Sequence, residues 1–232
     1  MESVPEYKIK ILSMKNVKAA IFDMDGVIVD SKPHHMKAWG VFCRKHGLSP
    51  ISKSLYDRIA GNSTAYFLDQ LFKWRLSEEE AERYSKEKDQ FYLQTYGKRI
   101  TIVGGLINFL EKLKAEGVAI AVATSEPPTT ANFILSETGT RQYFKEVIYG
   151  SQIKRPKPDP EIYLMAAEAV GASPSLCVAF EDTPVGIQAA KSAGMKVVGL
   201  ATTYQPEKLG SADLVVENFL ELTLRHLNEL SK

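Results

Sequence analysis

Several features that mark particular classes of protein are scarce or missing in this chain of 232 residues. Its two cysteines, Cys43 and Cys177, have no metal-ligand spacing, so we expect no disulfide framework and a reducing, cytoplasmic location. No apolar run approaches the length of a membrane-spanning helix. Basic and acidic residues nearly balance, at 29 and 28, which disfavours nucleic acid and acidic membranes as partners. With 44% hydrophobic and 25% charged residues, the composition is that of an ordinary globular protein.

The N-terminal segment, residues 1–18, also lacks the continuous apolar stretch of a signal peptide. It mixes Glu, Lys and Pro with apolar residues, and we interpret it as a short, poorly ordered extension. No internal repeat or low-complexity segment follows it. The length of the chain allows one large domain or two small ones, with a sizeable core in either case.

The most informative feature that is present comes directly after the apolar run 19–22, where Asp23, Asp25 and Gly26 follow. Two carboxylates two residues apart at the end of a strand point to the same side. The glycine beside them permits a tight turn or a close approach of the backbone to a ligand. Taken alone, this segment is as well explained by a polar turn, and the other strand ends decide between the two interpretations.

Strands and helices alternate along most of the chain. We predict strands at residues 18–23, 118–123, 146–149, 176–180, 196–200 and 213–216, and helices over 106–117, 128–137, 160–170 and 184–193 and at the C-terminus. This alternation indicates an α/β fold with a doubly wound parallel sheet covered on both faces. By contrast, residues 36–95 carry helical patterns, including a capping box at Ser77 and Glu80, and no convincing strand.

The change of pattern predicts two domains. We expect a core domain from residues 1–32 and 103–232, and an inserted all-helical cap domain from residues 33–102. The hinges between them are expected at residues 30–33 and 100–105.

Three more polar clusters follow predicted strands in the same way. They are Thr124 with Ser125, Lys157, and Glu181 with Asp182. In a parallel sheet with helices on both faces, ligands bind outside the carboxyl ends of the strands. All four clusters therefore map to one edge of one sheet.

The chemistry of this edge favours phosphoryl transfer. Its carboxylates would repel one another unless a cation lay among them, and oxygen ligands of this kind suit Mg²⁺. Lys157 offers a positive charge and Thr124 a hydroxyl, which a phosphoryl group needs. Taken singly, Lys157 is typical of a solvated lysine, and the other pairs are typical helix caps. Their joint occurrence predicts metal-assisted reaction of a small phosphorylated molecule.

The four clusters resemble, in order, the four motifs of the haloacid dehalogenase superfamily. Residues 22–31 are similar to its first motif, and the other three clusters stand where its second, third and fourth motifs are expected. Segments 157–160 and 181–187 are similar to the β-phosphoglucomutase-like phosphatase branch, which places a four-helix cap between the first two motifs. The resemblance covers about residues 17–216.

The resemblance implies a role for each residue. Asp23 is the implied nucleophile, which forms an aspartyl-phosphate, and Asp25 is the implied general acid and then base. Thr124 and Lys157 are implied to hold the transferring phosphoryl group. The implied Mg²⁺ ligands are Asp23, the backbone carbonyl of Asp25, Asp182 and, directly or through a ligand, Glu181. The implied substrate contacts are Gly26, His35, Gly61, Thr124, Ser125 and Lys157. An intact Asp25 indicates phosphate esters or anhydrides as substrates.

A sugar-phosphate mutase remains open as an alternative. His35 is similar to the hinge histidine of the β-phosphoglucomutases, but the basic cap pair of those enzymes is absent around Gly61. The segment 126–128 also lacks the basic residue often seen after the second motif. Lys53 and Arg58 remain available as distal phosphate contacts.

A non-catalytic phospho-aspartate switch is the second alternative. Receiver modules of signalling proteins combine an acidic cluster, a Thr or Ser, a Lys and Mg²⁺ on a similar sheet. The helical insertion and Asp25 count against this alternative, because a lid excludes water and selects a substrate. The sequence leaves the oligomeric state open, and a monomer is compatible with it.

Overall fold

A six-stranded parallel sheet forms the centre of the computed structural model, which describes residues 16–73, 75–96 and 100–231. The strands are β1 (Ala19–Phe22), β2 (Ala119–Thr124), β3 (Glu146–Tyr149), β4 (Cys177–Glu181), β5 (Lys196–Leu200) and β6 (Leu214–Val216). Their order is β3-β2-β1-β4-β5-β6, and every neighbouring pair is parallel. The predicted fold class is confirmed. The N-terminal extension lies outside the described residues up to position 15.

The described helices cover both faces of this sheet. They are α1 (Lys32–Lys45), α2 (Lys53–Ile59), α3 (Thr64–Phe72), α4 (Glu78–Tyr96), α5 (Leu106–Ala115), α6 (Pro128–Glu137), α7 (Glu161–Val170), α8 (Pro184–Ser192) and α9 (Leu224–Leu230). Ala20 and Phe22 of β1 face a cluster with α5, α6 and α9, whereas Ala19 and Ile21 face a second cluster with α1, α7 and α8. Because both faces are buried, β1 is continuously apolar instead of alternating.

The described residues between β1 and α5 form the helices α1–α4 and contain no named strand. The side chain of Trp39 in α1 stacks on Phe67 in α3, with ring centroids 5.2 Å apart, and α1 packs along α4. The predicted capping box starts α4, since Glu80 N donates to Ser77 Oγ and Ser77 N donates to Glu80 Oε2. The division into a core and a cap at residues 33–102 stays a prediction. No described helix is long and apolar enough to cross a bilayer.

The topology creates a crevice at the carboxyl end of β1. After β3 the chain returns to the other side of β1 and continues with β4, so connections leave in opposite directions beside β1. Two strands run one residue further than the sequence indicated, because parallel pairing extends to Thr124↔Tyr149 and Glu181↔Gly199. Thr124 and Glu181 are therefore the last residues of their strands and are held by the sheet itself.

Candidate active site

The turn after β1 brings the backbone close to the end of β4. Asp23 N donates to Phe180 O at 3.0 Å, which prolongs the contact between the two strands. The chain then turns at Gly26, whose φ of +77° lies in the left-handed region that favours glycine. A Cβ at this position would overlap the carboxylate of Asp182. Gly26 thus lets the first and fourth clusters approach each other, and its backbone rather than a side chain serves the site.

Lys157 lies between two carboxylates and is not a solvated lysine. Its Nζ is 2.6 Å from Asp23 Oδ1 and 2.6 Å from Glu181 Oε1, and the residue is 5% exposed. Tyr163 in α7 donates a hydrogen bond of 2.6 Å to the same oxygen of Glu181. Burial would lower the pKa of Lys157, but the charges of Asp23 and Glu181 raise it above its usual value. The lysine therefore stays protonated and offsets the repulsion between these acids.

Three acidic side chains beside Lys157 have the arrangement of a metal site. Asp23, Glu181 and Asp182 each offer an oxygen within 4.8 Å of the others. Asp182 Oδ1 is buried and has no hydrogen-bond partner among the described residues. Burial raises the pKa of Asp23 to about 7 and that of Asp182 well above its usual value. A divalent cation would offset the repulsion between these carboxylates, give Asp182 Oδ1 a partner and lower the raised pKa values. An all-oxygen donor set fits Mg²⁺.

Asp25 is bound by residues of two helices from the inserted segment. His35 Nε2 in α1 is 3.1 Å from Asp25 Oδ1, and Tyr92 in α4 donates its hydroxyl to the same oxygen at 2.8 Å. The rings of His35 and Tyr92 stack 3.9 Å apart. Burial opposes the charged form of Asp25, but His35 and the hydrogen bonds lower its pKa below the usual value. Burial and the charge of Lys88 lower the pKa of His35, although Asp25 opposes this shift.

The structure brings most of the predicted site residues to one cavity between the strand ends and α1–α4. Those that line it are Asp23, Asp25, His35, Gly61, Ser125, Lys157 and Asp182. Gly26, Thr124 and Glu181 lie near it but are not among the lining residues. Thr124 is 1% exposed, and its Oγ1 accepts a hydrogen bond of 3.0 Å from Glu126 N.

Sequence reasoning missed two charged residues of this cavity, Lys88 and Glu126. Lys88 lies in α4 and is 1% exposed, with Nζ 4.8 Å from the centre of the Tyr92 ring and 3.4 Å from Asp89. In the sequence, Lys88 is a charged residue within the apolar stripe of α4, and this position could have indicated its burial. Lys53 and Arg58, considered as phosphate contacts, are exposed and do not line the cavity.

Gly186 in the first turn of α8 controls the position of the Glu181 carboxylate. A Cβ at Gly186 would overlap that carboxylate, although alanine is the better helix former. We expect Gly186→Ala to reduce the free energy of unfolding by about 2–4 kcal/mol, because the carboxylate must leave Lys157. Gly40→Ala in α1 is the matched control, since its Cβ would lie 3.6 Å from Arg44 Nη1 and should stabilise by about 0.5–1 kcal/mol. Urea unfolding measures both, and equal effects would contradict this assignment.

Glu126 makes the stability of the metal-free protein depend on pH. Burial raises its pKa from 4.5 to about 8. The charged groups that act on it are Lys88, which lowers this pKa, and Asp25, Asp89 and Asp23, which raise it. The folded protein therefore binds more protons at Glu126 than the unfolded chain does. The free energy of unfolding must fall as the pH rises from about 4.5 to about 8, by at most about 1.4 kcal/mol per pH unit for one proton.

Glutamine does not titrate, so replacing Glu126 by glutamine removes the contribution of this residue to the pH dependence of stability. We expect Glu126→Gln to match the wild type at pH 5 and to exceed it in free energy of unfolding at pH 8. Urea unfolding without Mg²⁺ at the two pH values measures the difference. Glu137→Gln, an exposed residue at the end of α6, is the control and should follow the wild-type profile. Identical pH profiles for all three proteins would rule out a raised pKa at Glu126.

Comparison with known proteins finds similarity over most of the chain. A family model described as haloacid dehalogenase-like hydrolase matches residues 17–194. Validoxylamine A 7'-phosphate phosphatase of Streptomyces hygroscopicus subsp. limoneus is 31% identical over 222 residues, which cover 90% of this chain and 98% of that protein. Phosphorylated carbohydrates phosphatase of Thermotoga maritima is 32% identical over 180 residues, 78% of this chain and 83% of that one.

A solved structure shares the fold at similar coverage. The crystal structure of beta-phosphoglucomutase from Clostridium difficile superposes with a TM-score of 0.85 at 29% identity. The match covers 93% of this chain and 97% of that one. The similarity thus includes the helices α1–α4 as well as the sheet.

Proposed function

The chain belongs to the haloacid dehalogenase-like hydrolase family, and from this premise we propose that it is a Mg²⁺-dependent phosphatase of small phosphorylated sugars. One observation carries the proposal. Lys157 is held between Asp23 and Glu181, beside Asp182 Oδ1, for which residues 16–73, 75–96 and 100–231 provide no hydrogen-bond partner. Such an arrangement combines a nucleophilic carboxylate, a fixed positive charge and open oxygen ligands, which phosphoryl transfer requires.

In this proposal Asp23 attacks the phosphorus atom and forms an aspartyl-phosphate as the sugar oxygen leaves. Its Oδ1 binds Lys157, so the second carboxylate oxygen remains for the attack. Mg²⁺, bound by Asp23, Asp182 and the carbonyl of Asp25, would supply a Lewis acid for the phosphoryl oxygens. Lys157 lines the cavity and contributes a positive charge close to the transferring group. Ser125 lines the cavity too and offers it a hydroxyl, while Thr124 positions the following backbone.

Asp25 is proposed as the acid for the leaving oxygen and then the base for water. In the structure it is a carboxylate that accepts hydrogen bonds from His35 and Tyr92. This state is suited to taking a proton from water in the second half-reaction. To act as an acid in the first half-reaction, Asp25 must first gain a proton, which weakens its hold on the two rings.

The relatives support sugar phosphates as the substrate class. The names of two of them contain a phosphorylated carbohydrate or a phosphorylated validoxylamine. The cavity is lined by several polar side chains, among them Asn62, Thr64, Lys88 and Glu126, which suits a hydroxyl-rich molecule. A cytoplasmic location stays a prediction from the sequence.

A phosphosugar mutase is the second candidate, favoured by the similarity to beta-phosphoglucomutase. A mutase must hold a bisphosphate by both ends. Among the described residues that line the cavity, the lysines and arginines are Lys88 and Lys157, and Lys157 is already paired with two carboxylates. Lys88 also has an acidic partner, Asp89 Oδ1 at 3.4 Å, so both cations are already paired, which supports the phosphatase.

The test is phosphate release from a panel of sugar and polyol phosphates, with and without Mg²⁺. β-Glucose 1-phosphate is followed in parallel for conversion to glucose 6-phosphate. We expect many turnovers of phosphate release that stop when EDTA removes the metal. Isomer conversion without phosphate release would replace the phosphatase with the mutase, and no reaction on any member of the panel would reject both.

A further inference from the structure

Glu126 is a buried acid for which the phosphoryl-transfer steps have no use. It lies two residues after the end of β2 and lines the cavity, with 9% of its side chain exposed. Oε1 is 3.9 Å from His35 Nε2, beyond hydrogen-bond distance, and Oε2 has no hydrogen-bond partner in the part of the chain that the structure describes. Leaving a buried carboxyl oxygen without a partner destabilises a fold. A group of the substrate is the natural partner for such an atom in a binding cavity.

The neighbouring groups narrow the choice of that partner. The His35 ring beside Glu126 is already held by Asp25, whose Oδ1 is 3.1 Å from His35 Nε2. Lys88 lines the same cavity as Glu126, so a ligand bound there meets both side chains. An acid and a base together give this part acceptors and donors with little net charge. The matching ligand is uncharged and has groups that both donate and accept.

We propose that Glu126 is a specificity-determining residue that binds hydroxyl groups of the sugar or polyol part of a monophosphate and disfavours a second phosphate there. The inference rests on the proposed phosphatase function. An ionised carboxylate accepts hydrogen bonds from hydroxyl groups, and a neutral carboxyl both donates and accepts, so hydroxyls suit either state. The oxygens of a phosphate dianion act as acceptors only, so a neutral Glu126 offers them a single donor and an ionised Glu126 repels them.

The lack of a basic residue in segment 126–128 agrees with a site that disfavours a second phosphate. A lysine or arginine directly after β2 would attract a second phosphate, whereas this chain has Glu126 followed by Pro127 and Pro128. Pro127 precedes the first turn of α6 and Pro128 begins that helix. The prolines fix the backbone here, which limits the freedom of Glu126 to turn away from the cavity.

The experiment compares kcat/KM of four proteins, the wild type, Glu126→Gln, Glu126→Ala and the control Glu137→Gln. The substrates are glucitol 6-phosphate, which is rich in hydroxyls, p-nitrophenyl phosphate, which has none, and glucose 1,6-bisphosphate. We expect Glu126→Ala to lower kcat/KM for glucitol 6-phosphate about 10- to 100-fold, and for p-nitrophenyl phosphate less than about threefold. Glu126→Gln should lie between the wild type and Glu126→Ala. The bisphosphate should gain relative to glucitol 6-phosphate in both variants.

Thermal unfolding of the same proteins separates recognition from support of the fold. A residue with an unmet hydrogen bond should leave the protein as stable, or more stable, when replaced by glutamine. Equal losses of kcat/KM on glucitol 6-phosphate and p-nitrophenyl phosphate, or no loss on either, would overturn the inference while the phosphatase stands. If the wild type releases no phosphate from any of the three substrates, both the proposed function and this inference are rejected.

Discussion

Asp23→Asn is expected to abolish phosphate release while the protein stays folded. The amide is close to the carboxylate in shape but is a poor nucleophile, so kcat should fall by at least about 10³-fold. The asparagine can still accept a hydrogen bond from Lys157 through its amide oxygen, which preserves the contact at the site. Phosphate release under multiple-turnover conditions measures the loss. Mass spectrometry after rapid acid quench should find phosphate on the wild type and none on the variant.

Asp213→Asn is the matched control for this experiment. Asp213 is a carboxylate outside the site that accepts hydrogen bonds from Lys191 and from Val197 N. Its replacement should cost about 1 kcal/mol of stability and leave turnover unchanged. If Asp23→Asn, verified by mass to be free of deamidated protein, keeps more than a tenth of the wild-type rate, Asp23 is not the nucleophile.

Lys157→Met is expected to have the largest effect on stability of any substitution at the site. Its ammonium group is the partner of Asp23 and Glu181 in a buried setting, and methionine leaves both acids without it. Removing one partner from a buried ion pair costs about 3–5 kcal/mol. Activity should be lost in parallel, because Lys157 is the positive charge nearest the proposed nucleophile. Urea unfolding of the metal-free protein measures the first effect.

Mg²⁺ distinguishes this explanation from a general packing defect. A cation among Asp23, Glu181 and Asp182 would replace part of the missing charge, so Mg²⁺ should raise the stability of Lys157→Met more than that of the wild type. Lys154→Met, an exposed lysine of the same loop, should change neither stability nor the response to Mg²⁺. A variant as stable as the wild type without metal would contradict the central role of Lys157.

The sheet and its family could be predicted from the sequence because their signals are local. An apolar run such as 19–22 must be a buried strand, and Gly171 and Gly194 end helices where the pattern indicates. The strands and helices then fix which edge the polar clusters share, since parallel strands carry their carboxyl ends to one side. The family resemblance is confirmed by the match over residues 17–194.

The remaining parts of the site depend on contacts between distant segments. Asp25 accepts a hydrogen bond from Tyr92, which lies 67 residues away in α4, and no local sequence pattern predicts that contact. Lys88 belonged to a stripe that otherwise packs as core, and its burial became evident only with the packing of α4 against α1. Whether Thr124 or Ser125 lines the cavity depends on how far β2 extends, which the sequence places one residue too early.

Glu126 and Lys157 differ in how freely evolution can change them. Lys157 is the partner of two buried acids, so any single replacement lowers stability and activity at once. Such a replacement is tolerated only together with compensating changes at other strand ends. Among the described residues, Glu126 Oε2 has no hydrogen-bond partner, and replacing Glu126 removes this buried oxygen. Lineages that share this fold should therefore keep the lysine while exchanging the residue at position 126. New substrates can then be acquired one mutation at a time, without a passage through unstable intermediates.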